Sequence, residues 1–290
     1  MKSIIHGNTT VFGSVSAVIA VFCFSTNDVA IKFISDDYAL HLVILIRSLV
    51  GLTVLFLFIV PFSGGLPTLH TNRLGLHLLR GFCVVFANIT FFLGLAALPL
   101  AEGVAIFFIS PLLITVFSVL FLKEFVGPRR WAAVIIGLIG VVVVLRPGSA
   151  TFQTASLLPL LAAFGYATLH MLTRYIGKTE SAASMSFYIQ ITFLIVCLMF
   201  GVTVGDGKFS GGSDPSLEFL FRAWSWPSSN HYLILILIGA SSAFGGFFIS
   251  QAYRISEAAV VAPFEYIALP IAIFWGVIVF GDWPDKTTFV

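Results

Sequence analysis

Nine runs of about 20 apolar residues, separated by short polar connections, constrain this chain more than any other feature. They cover 12–34, 39–60, 75–98, 101–122, 129–146, 155–176, 182–204, 231–253 and 257–280. Each is long enough for a helix to cross the hydrocarbon core of a bilayer. Inside that core the backbone must satisfy its own hydrogen bonds, and a continuous apolar run does so as a helix. Only 10% of the residues are charged and 59% are hydrophobic, whereas a soluble domain carries about 25% charged residues. A water-soluble chain of 290 residues could not coat its surface with so few charges. The expected fold class is therefore an all-α integral membrane protein with the lipid bilayer as its solvent.

Several other classes fall away. A net charge of +2 with no basic run gives no footprint for nucleic acid. Cys23, Cys83 and Cys197 lie inside apolar runs without metal-ligand spacing, so they are expected to pack, and no metal or cofactor is predicted. The first run follows Lys2, yet it holds Asn27, Asp28 and Lys32 and lacks an A-x-A site. It is read as a retained helix and not as a signal peptide. Residues 205–230, rich in Gly, Ser, Asp and Pro, are expected to be a solvent loop, and 61–72 a smaller one. With the N-terminus in the cytoplasm, Lys2, Arg73, Lys123, Arg129, Arg130, Arg174, Lys178 and Arg254 fall inside. Lys32, Arg146, Lys208, Arg222 and Lys286 then fall outside, a bias that favours this orientation.

The chain also repeats itself. Residues 20–34 (AVFCFSTNDVAIKFI) align without a gap on 162–176 (AAFGYATLHMLTRYI), pairing Phe22 with Phe164, Thr26 with Thr168 and Lys32 with Arg174. LAEG (100–103) precedes the fourth run and SEAA (256–259) the ninth, so Glu102 and Glu257 are read as equivalent helix N-terminal residues. Both runs carry a proline, Pro111 or Pro270, and end near an acid, Glu124 or Asp282. Trp131 follows Glu124 at the same spacing as Phe289 follows Asp282. This predicts two units, 1–150 with helices 1–5 and 151–290 with helices 6–9. The tenth helix is expected to be missing, as in a fragment or a truncated gene product. Because five is odd, the second unit would enter the membrane from the opposite side, giving an inverted repeat of the kind transporters use.

This pattern resembles the drug/metabolite transporter superfamily, in its EamA-type ten-helix branch. The resemblance rests on the duplicated unit, on ISPLLITVFSVLFLKE (109–124) and on WAAVIIGLIGVVVVLRP (131–147). It implies ten helices in an inverted repeat, a central substrate cavity and alternating access. A narrower resemblance is to the S-adenosylmethionine uptake carriers of that superfamily. It is carried by STNDVAIKF (25–33), LLRGFCVVF (78–86), APFEYIALP (262–270) and DWPDKTT (282–288). Riboflavin carriers and amino-acid exporters share the fold.

Intramembrane polar groups supply the candidate substrate or proton sites. Asp28 lies one turn before Lys32 and reads either as a site or as its ion-pair partner. Its repeat partner His170 is the side-chain type whose charge changes near neutral pH. Arg47, deep in the second run, would hold an anionic group or neutralise Asp28 or Glu265. Arg80 is read as structural and able to snorkel. Glu265 lies between Pro263 and Pro270, where a loosened helix could line a cavity. Tyr266, Asn88 and Gln251 complete the candidates. The expected function is a secondary transporter of a small polar metabolite in a bacterial inner membrane. An intramembrane enzyme using Asp28 and His170 is the alternative of another class. No nucleotide-binding motif, H-E-x-x-H or G-x-S-x-G appears to support ATP drive or hydrolysis. Two acids favour a cationic or zwitterionic ligand, and Arg47 admits a carboxylate.

Overall fold

The computed structural model describes residues 2–145 and 153–283. Arg146, Lys286 and Phe289, used above for sidedness and for the repeat, lie outside the described residues. Among the described residues nine long helices form: α1 (Lys2–Phe33), α2 (Leu40–Phe62), α3 (Leu74–Ala97), α4 (Leu100–Leu122), α5 (Pro128–Leu145), α6 (Leu157–Ile176), α7 (Ala182–Val204), α8 (Tyr232–Ile255) and α9 (Ala258–Phe280). Among the described residues, eight of them, all but α5, meet the length and hydropathy of a bilayer span. The apolar runs thus become the predicted helices, with ends displaced by a few residues.

The polar stretch 205–230 departs from expectation. It contains a short helix, Pro215–Phe221, capped by Asp214, whose carboxylate accepts from the amides of Ser216 and Leu217 at 2.9 and 3.1 Å. Ser216 Oγ donates to Leu93 O at 2.7 Å, Phe219 is buried, and Arg222 Nη1 donates to Ser35 O at 2.7 Å. The segment is packed onto one end of the bundle and is not a free solvent loop.

Two spans are broken where prolines remove backbone donors. α4 changes course at Phe108, three residues before Pro111. In α9 an opening turn, Ala258–Val261, passes into a tighter 3-10 stretch, Ala262–Ile267, before the helix resumes at Ala268. Glu265 lies inside that tighter stretch.

The helix pairs obey one exchange rule. α1 packs on α8, α3 packs on α6, α2 packs on α7 and α4 meets α9. Exchanging helix 1 with 6, 2 with 7, 3 with 8 and 4 with 9 returns the same set of pairs. The rule holds at single residues. α3 begins at Leu74 and α8 at Tyr232, Leu98 and Ser256 are the extended C-caps that follow them, and Pro99 and Glu257 are the next N-caps. α4 ends with Lys123 in the left-handed region, φ 56°, and the Glu124 amide donating to Ser118 O. α9 ends with Gly281 at φ 71° and the Asp282 amide donating to Gly276 O. Both helices end in the same way, on a left-handed residue that is normally glycine, with the next amide reaching back six positions. This register corrects one pairing: Glu257 matches Pro99, so Glu102 and Glu257 are not equivalents. Glu257 occupies the N-cap without a side-chain capping bond.

Close packing follows the rule too. A Cβ on Gly165 of α6 would lie 3.2 Å from Ala87 Cβ of α3, and one on Gly245 of α8 would lie 3.2 Å from Cys23 Cβ of α1. Gly165 matches Cys23 in the repeat and Gly245 matches Ala87. Phe108 and Tyr266, equivalents in α4 and α9, meet edge-on with ring centroids 5.2 Å apart. Contact between equivalent residues is what a pseudo-two-fold axis between the halves requires.

Candidate functional site

A cavity of about 150 Å³ lies at this interface between the halves. One water needs roughly 10–15 Å³ on this measure, so the space suits a small metabolite. Its walls are largely aromatic and aliphatic, including Phe24, Phe91, Phe107 and Phe193, with polar groups at set points.

Of the residues singled out from sequence, Asp28, Arg47, Asn88, His170 and Glu265 all line the cavity. Gln251 and Tyr266 are not part of the lining. Gln251 accepts from Arg254 Nη1 at 3.3 Å, and Tyr266 turns toward Phe108. Adjacent helical positions point about 100° apart, so Glu265 faces inward while Tyr266 does not.

One corner of the cavity is built by α1, α2 and α3. Arg47, 3% exposed, donates from Nη1 to Asn88 Oδ1 at 2.9 Å, and its guanidinium lies 4.6 Å from the centre of the Phe193 ring. Asn27 Nδ2 donates to Asp28 Oδ1 at 3.3 Å. The anticipated Asp28–Lys32 ion pair is absent. Lys32 Nζ instead donates to Leu95 O and Leu98 O at 2.7 and 2.8 Å, at the end of α3. Nor does Arg47 form an ion pair with Asp28 or Glu265, since its Nη1 is given to Asn88.

The opposite corner is built by α6, α8 and α9. Glu265, 6% exposed, accepts a hydrogen bond from the Tyr253 hydroxyl. His170 is stacked on Tyr253 at 4.2 Å and meets Tyr166 edge-on at 4.2 Å. No hydrogen bond joins Asp28 to His170, so the two do not form an acid–base couple here. Tyr166 and Tyr253 are site neighbours that the sequence reading did not name. Tyr166 was legible as the repeat partner of Phe24, a ring facing the cavity from the other half. Tyr253 carries no comparable signal.

Arg80 is the clearest correction. It does not snorkel: it is 1% exposed, lines the cavity, and donates from Nε to Thr173 Oγ1 at 3.1 Å. Its Nη1 has no partner in the protein. Polar atoms of Asn27, Arg47, His170, Ser186 and Gln190 are likewise buried without a protein partner, and all of these residues line the same cavity. A buried unpaired polar group costs about 1–3 kcal/mol. Water or a polar ligand filling the cavity would satisfy these atoms. Among the described residues no cluster of His, Cys, Asp and Glu has metal-binding geometry.

Comparisons with known proteins agree with this architecture. The EamA-like transporter family matches residues 11–146. The S-adenosylmethionine uptake transporter of Rickettsia conorii is 30% identical over 264 residues, covering 91% of this chain and 83% of that protein. The riboflavin transporter of Vibrio cholerae is 32% identical over 216 residues, covering 74% of this chain and 66% of that protein. A crystal structure superposes over 98% of this chain and 93% of its own with a TM-score of 0.71 at 18% identity, which shows a shared fold. With its apolar helices, its exchanged packing and its relatives, the chain is a multi-pass membrane transporter and belongs to the EamA-like transporter family of the drug/metabolite transporter superfamily.

Proposed function

We propose that this chain is a secondary carrier that moves a small zwitterionic metabolite of the S-adenosylmethionine kind by alternating access. The observation that carries the reading is one cavity holding two carboxylates, Asp28 and Glu265, and two arginines, Arg47 and Arg80, none ion-paired with another, between aromatic walls. Unpaired charges of both signs suit a ligand that brings its own cation and carboxylate. Phe24 and Phe193 offer faces to a planar ring or to a sulfonium. The name of the Rickettsia relative supports this substrate class and the uptake direction.

We assign the roles as follows. Glu265 and Asp28 hold the cationic centre. Arg80 and Arg47, with Asn88 orienting Arg47, hold the carboxylate. Tyr253, stacked on His170, fixes the Glu265 carboxylate against the broken stretch of α9. Residues 1–150 and 151–290 act as the two units that rock about the site. We place the N-terminus in the cytoplasm of a bacterial inner membrane, where the lysines and arginines of the Lys123 end lie inside.

Reconstitution in proteoliposomes tests the substrate. Radiolabelled S-adenosylmethionine should accumulate and be displaced by excess unlabelled compound, but not by riboflavin. Riboflavin uptake without S-adenosylmethionine uptake would keep the fold and replace the substrate. Consumption of the metabolite in detergent without movement across a bilayer would instead favour the enzyme reading.

A further inference from the structure

The helix exchange makes the two ends of the bundle equivalent, yet the structure holds them in different states. At one end Arg174 Nε lies 3.1 Å from Glu124 Oε1, and Arg174 Nη1 donates to Arg254 O, at the end of α8, at 3.4 Å. At the other end the repeat places Lys32 for Arg174 and Asp282 for Glu124. Lys32 donates to Leu95 O and Leu98 O, at the end of α3, as Arg174 does at the end of α8. It also lies 5.5 Å from the centre of the Phe280 ring, the last residue of α9. Lys32 and Asp282 nevertheless form no ion pair within 4 Å.

The cavity is lopsided in the same sense. Leu100, Val104 and Ala272, toward the Lys32 end, line it. Their equivalents Ala258, Ala262 and Ile114, toward the Glu124 end, are packed together in an apolar cluster with Tyr253 and Ala17. One end is therefore joined by an ion pair, and its three residues stand off the cavity. At the equivalent end, among the described residues, Lys32 and Asp282 form no ion pair, and the three matching residues line the cavity while packed in the main core.

We infer that Arg174–Glu124 and Lys32–Asp282 are the two gates of the transport cycle, one closed while the other is open. When the halves rock, Lys32 leaves the α3 carbonyls for Asp282, the Leu100–Val104–Ala272 side closes, and Arg174 releases Glu124. Each gate joins the two repeats, since Lys32 and Glu124 belong to one and Asp282 and Arg174 to the other. An inverted repeat requires this arrangement if both end states are to have the same packing. The inference rests on the alternating-access reading but not on the identity of the substrate.

Site-directed labelling tests it. Cys23, Cys83 and Cys197 are replaced, and Ala272→Cys or Ile114→Cys is introduced singly in reconstituted full-length chain as reporters at equivalent positions. A membrane-impermeant maleimide is added from each side. Ala272→Cys should react from the Lys32 side faster than Ile114→Cys reacts from the Glu124 side. Glu124→Gln should raise Ile114→Cys labelling and lower that of Ala272→Cys, each by about fivefold, the range for a partly exposed ion pair. Asp282→Asn should leave Ala272→Cys at least as reactive as before. The swap Glu124→Arg with Arg174→Glu should restore the original rates, which a merely misfolded variant would not. Equal rises at both reporters, or no response to Glu124→Gln and Arg174→Gln in protein that stays monodisperse, would overturn the gates. Reporters that respond to a bound ligand but to neither charge variant would retain alternating access and remove these residues from it.

Discussion

The two halves of the cavity occupy equivalent backbone positions and carry different chemistry. Phe24 matches Tyr166, Asp28 matches His170, Phe107 matches Glu265, Asn88 matches Gly246 and Arg47 matches Ile189, and all of these line the cavity. Arg80 matches Ile238. The helices are exchanged by symmetry, while the polar groups are not. A rocking mechanism needs the first property, because the two end states must be nearly equal in energy. A substrate bound in one orientation needs the second. The comparison therefore separates residues that serve the motion from residues that serve recognition.

The largest expected effect breaks the comparison at the axis. Glu265→Gln should lower uptake by about a hundredfold, the scale of a buried hydrogen bond to a charged group, with insertion and monodispersity preserved. Phe107→Leu, at the equivalent position, should cost less than about tenfold. Similar losses in the two variants would deny Glu265 a special part in binding.

Packing gives the next effect. A Cβ on Gly165 would sit 3.0 Å from Cys83 O, a backbone atom, so α3 must shift to admit it. A Cβ on Gly245 would sit 2.8 Å from Phe24 Cε1, a ring edge that can turn into the cavity. Gly165→Ala should destabilise the detergent-solubilised protein by about 1–3 kcal/mol, as overpacking does. Gly245→Ala should cost less stability and impair transport more, because Phe24 moves into the substrate space. Melting curves beside uptake assays would expose a reversed order.

Arg80 has no cationic equivalent in the second half. Arg80→Gln should raise the KM for a carboxylate-bearing substrate by about tenfold with a smaller change in kcat, as lost ground-state binding does. An unchanged KM would return Arg80 to a structural role. The smallest effect concerns the matched helix ends. Lys123 holds the left-handed conformation that Gly281 adopts freely. Lys123→Gly should stabilise by about 1 kcal/mol, and Gly281→Lys should destabilise by a similar amount. Equal and opposite shifts in melting temperature would show that the two ends bear the same strain.

Much of this was legible before any fold was known. The apolar runs located the helices because a bilayer admits few alternatives to a helix of that length. The duplicated stretch located the exchange rule, and the costly intramembrane charges drew attention to Asp28, Arg47, His170 and Glu265. One pairing at the start of α4 and α9 was misread, because the matching acids Glu102 and Glu257 outweighed the cap geometry that sequence does not display. Arg80 was misplaced for a related reason: depth along a helix was visible, but the face it presents to α6 was not.

The sequence by itself determined that the chain spans a membrane, that it is built twice and that its polar residues inside the membrane are few. Those are properties of composition and period, which local physics fixes. Only the tertiary structure decided which polar side chains share a cavity, that Lys32 serves the end of α3 and not Asp28, and that Arg174 meets Glu124 while Lys32 does not meet Asp282. Such facts depend on contacts between residues distant in the chain. A period of 3.6 residues says which side chains share a face, but the neighbouring helix decides what that face meets.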